Sequence, residues 1–339
     1  MIVLIPEDGP LANELKKNEV EYHIIDLLKI SRSSLSINFF LSALLRIPRC
    51  LKNLSKIIKN RHIDIVYTNT IAVIIGAIWA KINNKYHIWH IREIISEPKF
   101  VKVFYSLIVK KLSNKILCNS KATANNIDDK SYNKIQVIYN GVNDICQNQK
   151  LKEAKDTINI SLIGRINKWK GHFLFVDVAN KLISDGIKNI KFSIVGSPHK
   201  SNPSILQDLE QYIKEFDIQG YIEIIEFQKE IRNVYLKSDI VVVPSIKPEP
   251  FGLVAIEAMS FGLPVIGTNM GGLKEIINHG ETGYLFDLNS SNDFKNYLQI
   301  LIDDETLRLK LGENGRNRYK KLFQLENNLK NIKNVFDSI

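Results

Sequence analysis

Short apolar runs alternate with longer helix-type stretches along the whole chain, and this alternation constrains the fold more than any other feature. In the first half the runs are 1–5, 22–26, 63–69, 86–91, 115–119 and 135–140. In the second half they are 158–163, 190–195, 221–227, 239–244, 263–267 and 284–286. Most are apolar throughout rather than alternating, as parallel strands covered on both faces must be. Two successive βα arrays imply an α/β chain with two Rossmann-like, doubly wound domains. A length of 339 residues is ample for two cores. The polar stretch 143–157, "NDICQNQKLKEAKDT", carries no apolar period and marks the break. The domains are therefore expected at 1–144 and 155–322. Ligands of open α/β sheets bind beyond the carboxyl ends of the strands. The chemistry is thus expected in βα turns that face a central cleft between the domains.

Two such turns carry the relevant residue types. "IGRINKWKGH", 163–172, follows the run 158–163. Gly164 allows a sharp turn, and Arg165 and Lys170 supply two cations beside a helix that starts near Gly171. A helix N-terminus with two fixed cations suits a diphosphate. Read alone, the stretch is equally an exposed basic loop. The second turn is "KPEPFGLVAIEAMSFGLPVIGTN", 247–269. Pro250, Phe251 and Gly252 break the chain, and a helix from about Leu253 offers free N–H groups to the same phosphates. Glu257, two turns into that helix, can accept the two hydroxyls of a ribose. Glu249, in the loop, can accept hydroxyls at the other end of the ligand. Two carboxylates flanking a phosphate-binding helix start suit a nucleotide sugar. The alternative is that Glu257 is a helix-surface residue and Glu249 a solvated loop acid.

The Glu-x7-Glu spacing around "PFGL", followed by "EAMSFGLPVIGTNMGGLKEII", resembles the retaining glycosyltransferases of family 4. "GRINKWKG" is similar to that family's phosphate loop, and "GETGYLF" (280–286) to its usual continuation. "PEDGPLANELKKN", "IDIVYTNT" and "HIREI" resemble its first half more weakly. The resemblance implies a GT-B fold, with the first domain binding a saccharide or lipid-linked acceptor and the second a nucleotide-sugar donor. It implies a last helix, about 323–339, that packs back on the first domain. It assigns Arg165 and Lys170 to the diphosphate and Glu257 to the ribose. Glu249 would hold donor-sugar hydroxyls, helped by the amides of Phe251, Gly252 and Leu253. His90 would lie against the donor sugar. Gly9 would bring backbone near the donor phosphate, although the chain has only this one glycine there and Pro10 follows it. Family 4 enzymes need no metal, and no Asp-x-Asp occurs here; no cofactor or metal is expected. His87, three residues before His90, points to the opposite face of a strand. His23, His62, His172, His199 and His279 read as structural.

Composition narrows the setting. Three scattered cysteines, Cys50, Cys118 and Cys146, argue against a disulfide framework or a zinc site. The opening "MIVLIPEDGP" reads as a strand and loop rather than a leader, and "IAVIIGAIWA" (71–80) is too short to cross a bilayer. A cytoplasmic protein is expected. The net charge of +10 is lopsided: residues 1–144 hold 21 Lys/Arg against 12 Asp/Glu. Residues 27–63 and 98–127 contain no acid at all. This basic half suggests an anionic partner surface, and residues 29–61 interleave apolar and basic positions as a membrane-docking segment does. The alternative is a lysine-rich composition colouring a solvated face. A GT-B epimerase or phosphorylase is the competing enzyme class. A basic nucleic-acid-binding protein ranks far lower, since no nucleic-acid module is present.

Overall fold

The computed structural model describes residues 1–29, 37–95, 97–127, 133–146 and 157–339. These form two compact units: Met1–Asn119 with Thr123–Val137, and Ser120–Ala122 with Ile138–Ile339. The linker expected at 143–157 lies largely outside the described residues, as do residues 30–36 of the basic segment 29–61, Arg32 among them.

The first unit runs β1 (Val3–Ile5), α1 (Pro10–Lys17), β2 (Tyr22–Ile24), α2 (Ile37–Ile57), β3 (Ile65–Thr68), α3 (Ile75–Ile82), β4 (Tyr86–Ile91), α4 (Lys99–Leu112), β5 (Lys115–Cys118), α5 (Lys121–Ile127) and β6 (Ile135–Val137). Strands β1 and β2 pair in parallel, and β3-β4-β5-β6 form a parallel sheet in chain order. Trp89 and Ile91 of β4 pack with Val101, Tyr105 and Val109 of α4. The apolar run 71–80 becomes helical only from Ile75. Before it, Thr70 Oγ1 and the Ile71 amide donate to the Glu93 carboxylate at 2.5 and 3.1 Å, which holds the preceding turn out of helix.

The second unit runs β7 (Ile158–Ile163), α6 (His172–Ser184), β8 (Ile190–Val195), α7 (Ser204–Glu215), β9 (Ile222–Ile225), α8 (Arg232–Lys237), β10 (Ile240–Val243), α9 (Leu253–Ser260), β11 (Val265–Thr268), α10 (Leu273–Ile276), β12 (Gly283–Phe286), α11 (Ser291–Asp303), α12 (Glu305–Leu322) and α13 (Leu325–Asp337). Its six strands are all parallel, in the order β12-β11-β10-β7-β8-β9. Successive residues of β10 enter different cores. Ile240 and Val242 join the cluster with α6, α7 and α11. Val241 and Val243 join the one with α9 and α12. Both faces are covered, which is why "IVVV" shows no alternation.

All twelve expected runs are strands. The chain is an α/β protein with two Rossmann-like units, each built on parallel strands. The sequence reading placed the last helix on the first domain. At its start Leu325 N donates to Val142 O at 3.0 Å and Asn328 Nδ2 to Tyr139 O at 2.6 Å; both acceptors fall within the expected span 1–144, and both belong to the second unit by contacts.

Candidate active site

In the second unit the chain winds from β7 outward to β9, then returns to the other side with β10. Strands β7 and β10 are neighbours, with Ile160 opposite Ile240 and Leu162 opposite Val242. This is the topological switch point of an open parallel sheet, where a crevice opens at the carboxyl ends. The two loops there are 164–171 and 244–252, the same two that the residue types marked.

The loops are locked together. Ile246 N donates to Trp169 O at 2.8 Å. Asn167 Oδ1 accepts from the amides of Trp169 and Lys170 at 3.0 and 2.9 Å, folding the first loop on itself. Gly171 adopts φ 81°, and a Cβ there would lie 1.9 Å from Pro244 O. Gly271, at φ 56°, leaves equally little room against Glu249 O. Gly272 N donates to Glu249 O at 2.8 Å. A rigid frame of backbone bonds therefore presents the functional side chains.

Lys170 Nζ donates to Glu249 Oε1 at 2.6 Å and stands 4.6 Å from the Trp169 ring centre. Ser245 Oγ donates to the same carboxylate oxygen at 2.5 Å. Glu249 is buried, which excludes the solvated-acid alternative for it. The cation expected at the phosphate and the acid expected at the sugar thus touch directly. Arg165 is exposed at the mouth of the same loop. Glu257 is half-buried on α9 and accepts from Tyr235 Oη at 2.6 Å. Burial holds its carboxyl above the usual range, and the tyrosine bond partly opposes this. Tyr235 itself is fully buried. Phe251 is also buried, packed against Tyr139 and Phe323 at 6.0 Å each, so its side chain is committed to the core. Gly252 has φ 124° and caps α9, and Leu253 is 45% exposed at the first turn.

In the first unit, His90 is 2% exposed at the end of β4. Its Nδ1 meets Tyr67 Oη at 2.5 Å, and its buried Nε2 has no hydrogen-bond partner. Burial, with a smaller contribution from the Arg92 charge, pushes the ring down to about 4, so it is neutral at pH 7. His87 is packed away, with Nε2 bonded to Thr68 Oγ1 at 2.9 Å. Gly9 caps α1 in an extended conformation, and its amide is taken by its neighbour Asp8 Oδ1 at 2.8 Å. A Cβ at Gly9 would meet nothing within 4 Å. Packing among the described residues therefore does not demand glycine there.

Sequence reasoning missed Ser245, Tyr235 and Asn167. Each is an ordinary polar residue whose partner lies far along the chain or in a turn. It also set His172 aside as lacking company. That residue is 1% exposed at the first position of α6, under the basic loop, and neither ring nitrogen has a hydrogen-bond partner. No group of three or more His, Cys, Asp or Glu side chains among the described residues could hold a metal ion.

Known proteins match this chain along nearly its whole length. Residues 145–318 match the family described as Glycosyl transferases group 1, and residues 5–144 match Glycosyltransferase Family 4. An uncharacterised glycosyltransferase of Methanocaldococcus jannaschii is 31% identical over 299 residues, which is 84% of this chain and 78% of that protein. A 41.2 kDa protein of the cps region of Klebsiella pneumoniae is 31% identical over 206 residues, covering 57% of this chain and only 53% of its own length. The crystal structure of HepE from Anabaena in complex with UDP superposes with a TM-score of 0.83 at 19% identity, covering 100% of this chain and 92% of that one. That likeness extends the fold to GT-B. With two family matches that together run from residue 5 to residue 318, the chain belongs to the group 1 glycosyl transferases and is a glycosyltransferase.

Proposed function

We propose that this enzyme moves a sugar, with retention of anomeric configuration, from a nucleoside-diphosphate sugar to a saccharide or lipid-linked acceptor. The observation that carries this reading is the Lys170–Glu249 pair at the β7/β10 switch point. A fixed cation and a fixed hydroxyl acceptor stand side by side, as the junction of a diphosphate and a sugar requires. Lys170 and Arg165 neutralise the diphosphate, with the amides of Phe251, Gly252 and Leu253 at the start of α9. Glu249 takes hydroxyls of the donor sugar, and Glu257, already bonded to one phenol, takes the ribose. In the first unit, the unused Nε2 of His90 is assigned to a substrate hydroxyl, and Gly9 to the approach of backbone to substrate.

In the reaction the bond between the anomeric carbon and the diphosphate oxygen breaks, and its electron pair leaves with the diphosphate. The acceptor oxygen bonds the anomeric carbon on the same face and loses its proton to the departing diphosphate. Charge growing on that leaving oxygen is met by Lys170 and the helix amides, which are held in place beforehand. No metal or cofactor is needed for this charge stabilisation.

The pathway is proposed to be the assembly of surface polysaccharide, lipopolysaccharide or capsule, supported by the relative from a cps region. The enzyme is proposed to work at the inner face of the cytoplasmic membrane. No described helix is long and apolar enough to cross one. The basic first unit would bring it to an anionic surface instead. On α2 and just past its end the cations Arg49, Lys52, Lys56 and Lys59 are exposed, while Cys50, Leu54 and Ile58 are buried.

A thermal-shift series with UDP, GDP, ADP and their sugars tests the donor assignment, followed by transfer assays with any nucleotide that stabilises the protein. Stabilisation by a nucleoside diphosphate that disappears in Lys170→Ala is the expected result. Indifference to all three nucleotides overturns it.

A further inference from the structure

Helix α4 presents an apolar stripe outward. Phe100, Val103, Phe104 and Leu107 are 67%, 58%, 44% and 61% exposed. Their spacing of three and four residues puts them on one face of the helix. The opposite face is spent on the core, through Val101, Tyr105 and Val109. Exposed apolar side chains are ordinary when scattered, but a contiguous stripe marks an interaction surface. Lysines frame this one. Lys99 opens the helix, Lys110 and Lys111 close it, and Lys134 Nζ lies against the Lys110 carbonyl at 3.3 Å. Residues 98–127 contain no acid, the stretch being bounded by Glu97 and Asp128.

We propose that the exposed face of α4 lies flat on an anionic lipid surface, a contact that rests on the membrane-facing reading above and gives it a specific element. The chemistry favours lipid over a protein partner. Phe and Leu enter the boundary between headgroups and acyl chains while lysines at the rim meet lipid phosphates. A second copy docked through the same face would set Lys99, Lys110 and Lys111 against their own counterparts. Fourteen residues are too few to span a bilayer, so the helix lies on the surface rather than crossing it. The contrast with α2 is direct. There Cys50 and Leu54, with Ile58 just past the helix, are buried, and Leu45 is the one strongly exposed apolar side chain among the described residues of α2.

The test is co-sedimentation of the full chain with vesicles of phosphatidylcholine, alone or mixed with phosphatidylglycerol. The variants are Phe100→Ser/Leu107→Ser, Lys99→Gln/Lys111→Gln and, along the end of α2 and just past it, Lys52→Gln/Lys56→Gln/Lys59→Gln. All seven side chains are exposed, so melting temperature should hold. The wild type should pellet with anionic vesicles and be released by salt, since exposed charges are screened over about 8 Å at physiological ionic strength. The Phe100/Leu107 variant should lose binding by about tenfold or more while keeping transfer to a water-soluble acceptor. The Lys99/Lys111 variant should bind more weakly at low salt. Undiminished binding by the α4 variants, with loss only in the α2 variant, overturns the inference and leaves the membrane-facing reading standing. No binding by the wild type overturns both. Equal binding to neutral vesicles removes the role of the lysines. A dimer in solution that Phe100→Ser/Leu107→Ser dissolves reassigns the stripe to a second copy of the chain.

Discussion

At the scale of single residues, contact between Lys170 and Glu249 changes what each substitution should do. Lys170→Ala removes a phosphate cation and also strands a buried carboxylate. It should weaken nucleoside-diphosphate binding by roughly 1.5–3 kcal/mol, measured by calorimetry, and lower the melting temperature. Glu249→Gln keeps the shape and the Ser245 bond. It should spare the bare nucleotide and raise the apparent KM for the nucleotide sugar. Glu257→Ala should weaken both ligands, because the ribose is common to them. The reverse pattern between the two glutamates would show that the ligand ends are assigned backwards. Three buried histidines set the acid limit of the fold. Burial pushes His87, His90 and His172 each down to about 4 from an ordinary 6.5. The unfolded chain binds these protons more readily than the folded one. Their stabilising contribution is thus complete above pH 6.5 and is lost as pH falls toward 4. Each histidine adds a slope of up to about 1.4 kcal/mol per pH unit in that window. Glu257, shifted upward, acts in the opposite sense. Denaturant midpoints between pH 7 and 4 should drop steeply, and less steeply in His172→Gln.

At the scale of elements, backbone proximity decides more than side-chain chemistry. Gly171 sits between the basic loop and α6 in a left-handed conformation, with Pro244 O where a Cβ would go. Gly171→Ala must push apart the loops after β7 and β10. It should cost more than about 2 kcal/mol in unfolding free energy and carry Lys170 away from Glu249. An unchanged denaturation midpoint with unchanged nucleotide affinity would show that the loops yield freely. Within α4 and α2, the same residue types serve opposite ends. Both helices mix apolar residues with lysines, yet α2 buries Cys50 and Leu54 and exposes Leu45, while α4 turns four apolar side chains out on one face. Sequence periodicity identifies the stripe in each case. Which stripe faces the core depends on the strands that the helix covers.

At the scale of the whole molecule, the proposal rests charge stabilisation on the protein alone. Transfer should survive EDTA at full rate. Loss of activity that Mn²⁺ or Mg²⁺ restores would remove Lys170 and the α9 amides from that role. The second unit is one continuous construction in this respect. Phe251, beside the donor loop, packs on Phe323 at the junction of α12 and α13. The last two helices thus buttress the loop that carries Glu249. This support could not be read from the linear order, which puts 71 residues between the two rings.

The sequence by itself determined the strands, their parallel sense and the two loops at the switch point to which donor binding is proposed. Those properties are local or periodic: an apolar run too uniform for a half-exposed strand, a glycine after it, a cation or an acid in the turn. It determined equally that Glu249 and Glu257 begin and follow a helix start. Only the tertiary structure decided that Lys170 reaches Glu249, that Tyr235 is bonded to Glu257, and that His90 bonds Tyr67 while His87 bonds Thr68, each keeping one buried ring nitrogen unused. Each depends on strand order, and β10 lies beside β7 because the chain crosses back at the switch point. No pattern within either segment encodes that adjacency. Burial decided the rest: the same histidine or phenylalanine in sequence becomes a buried side chain or an exposed one according to which face its neighbours leave open.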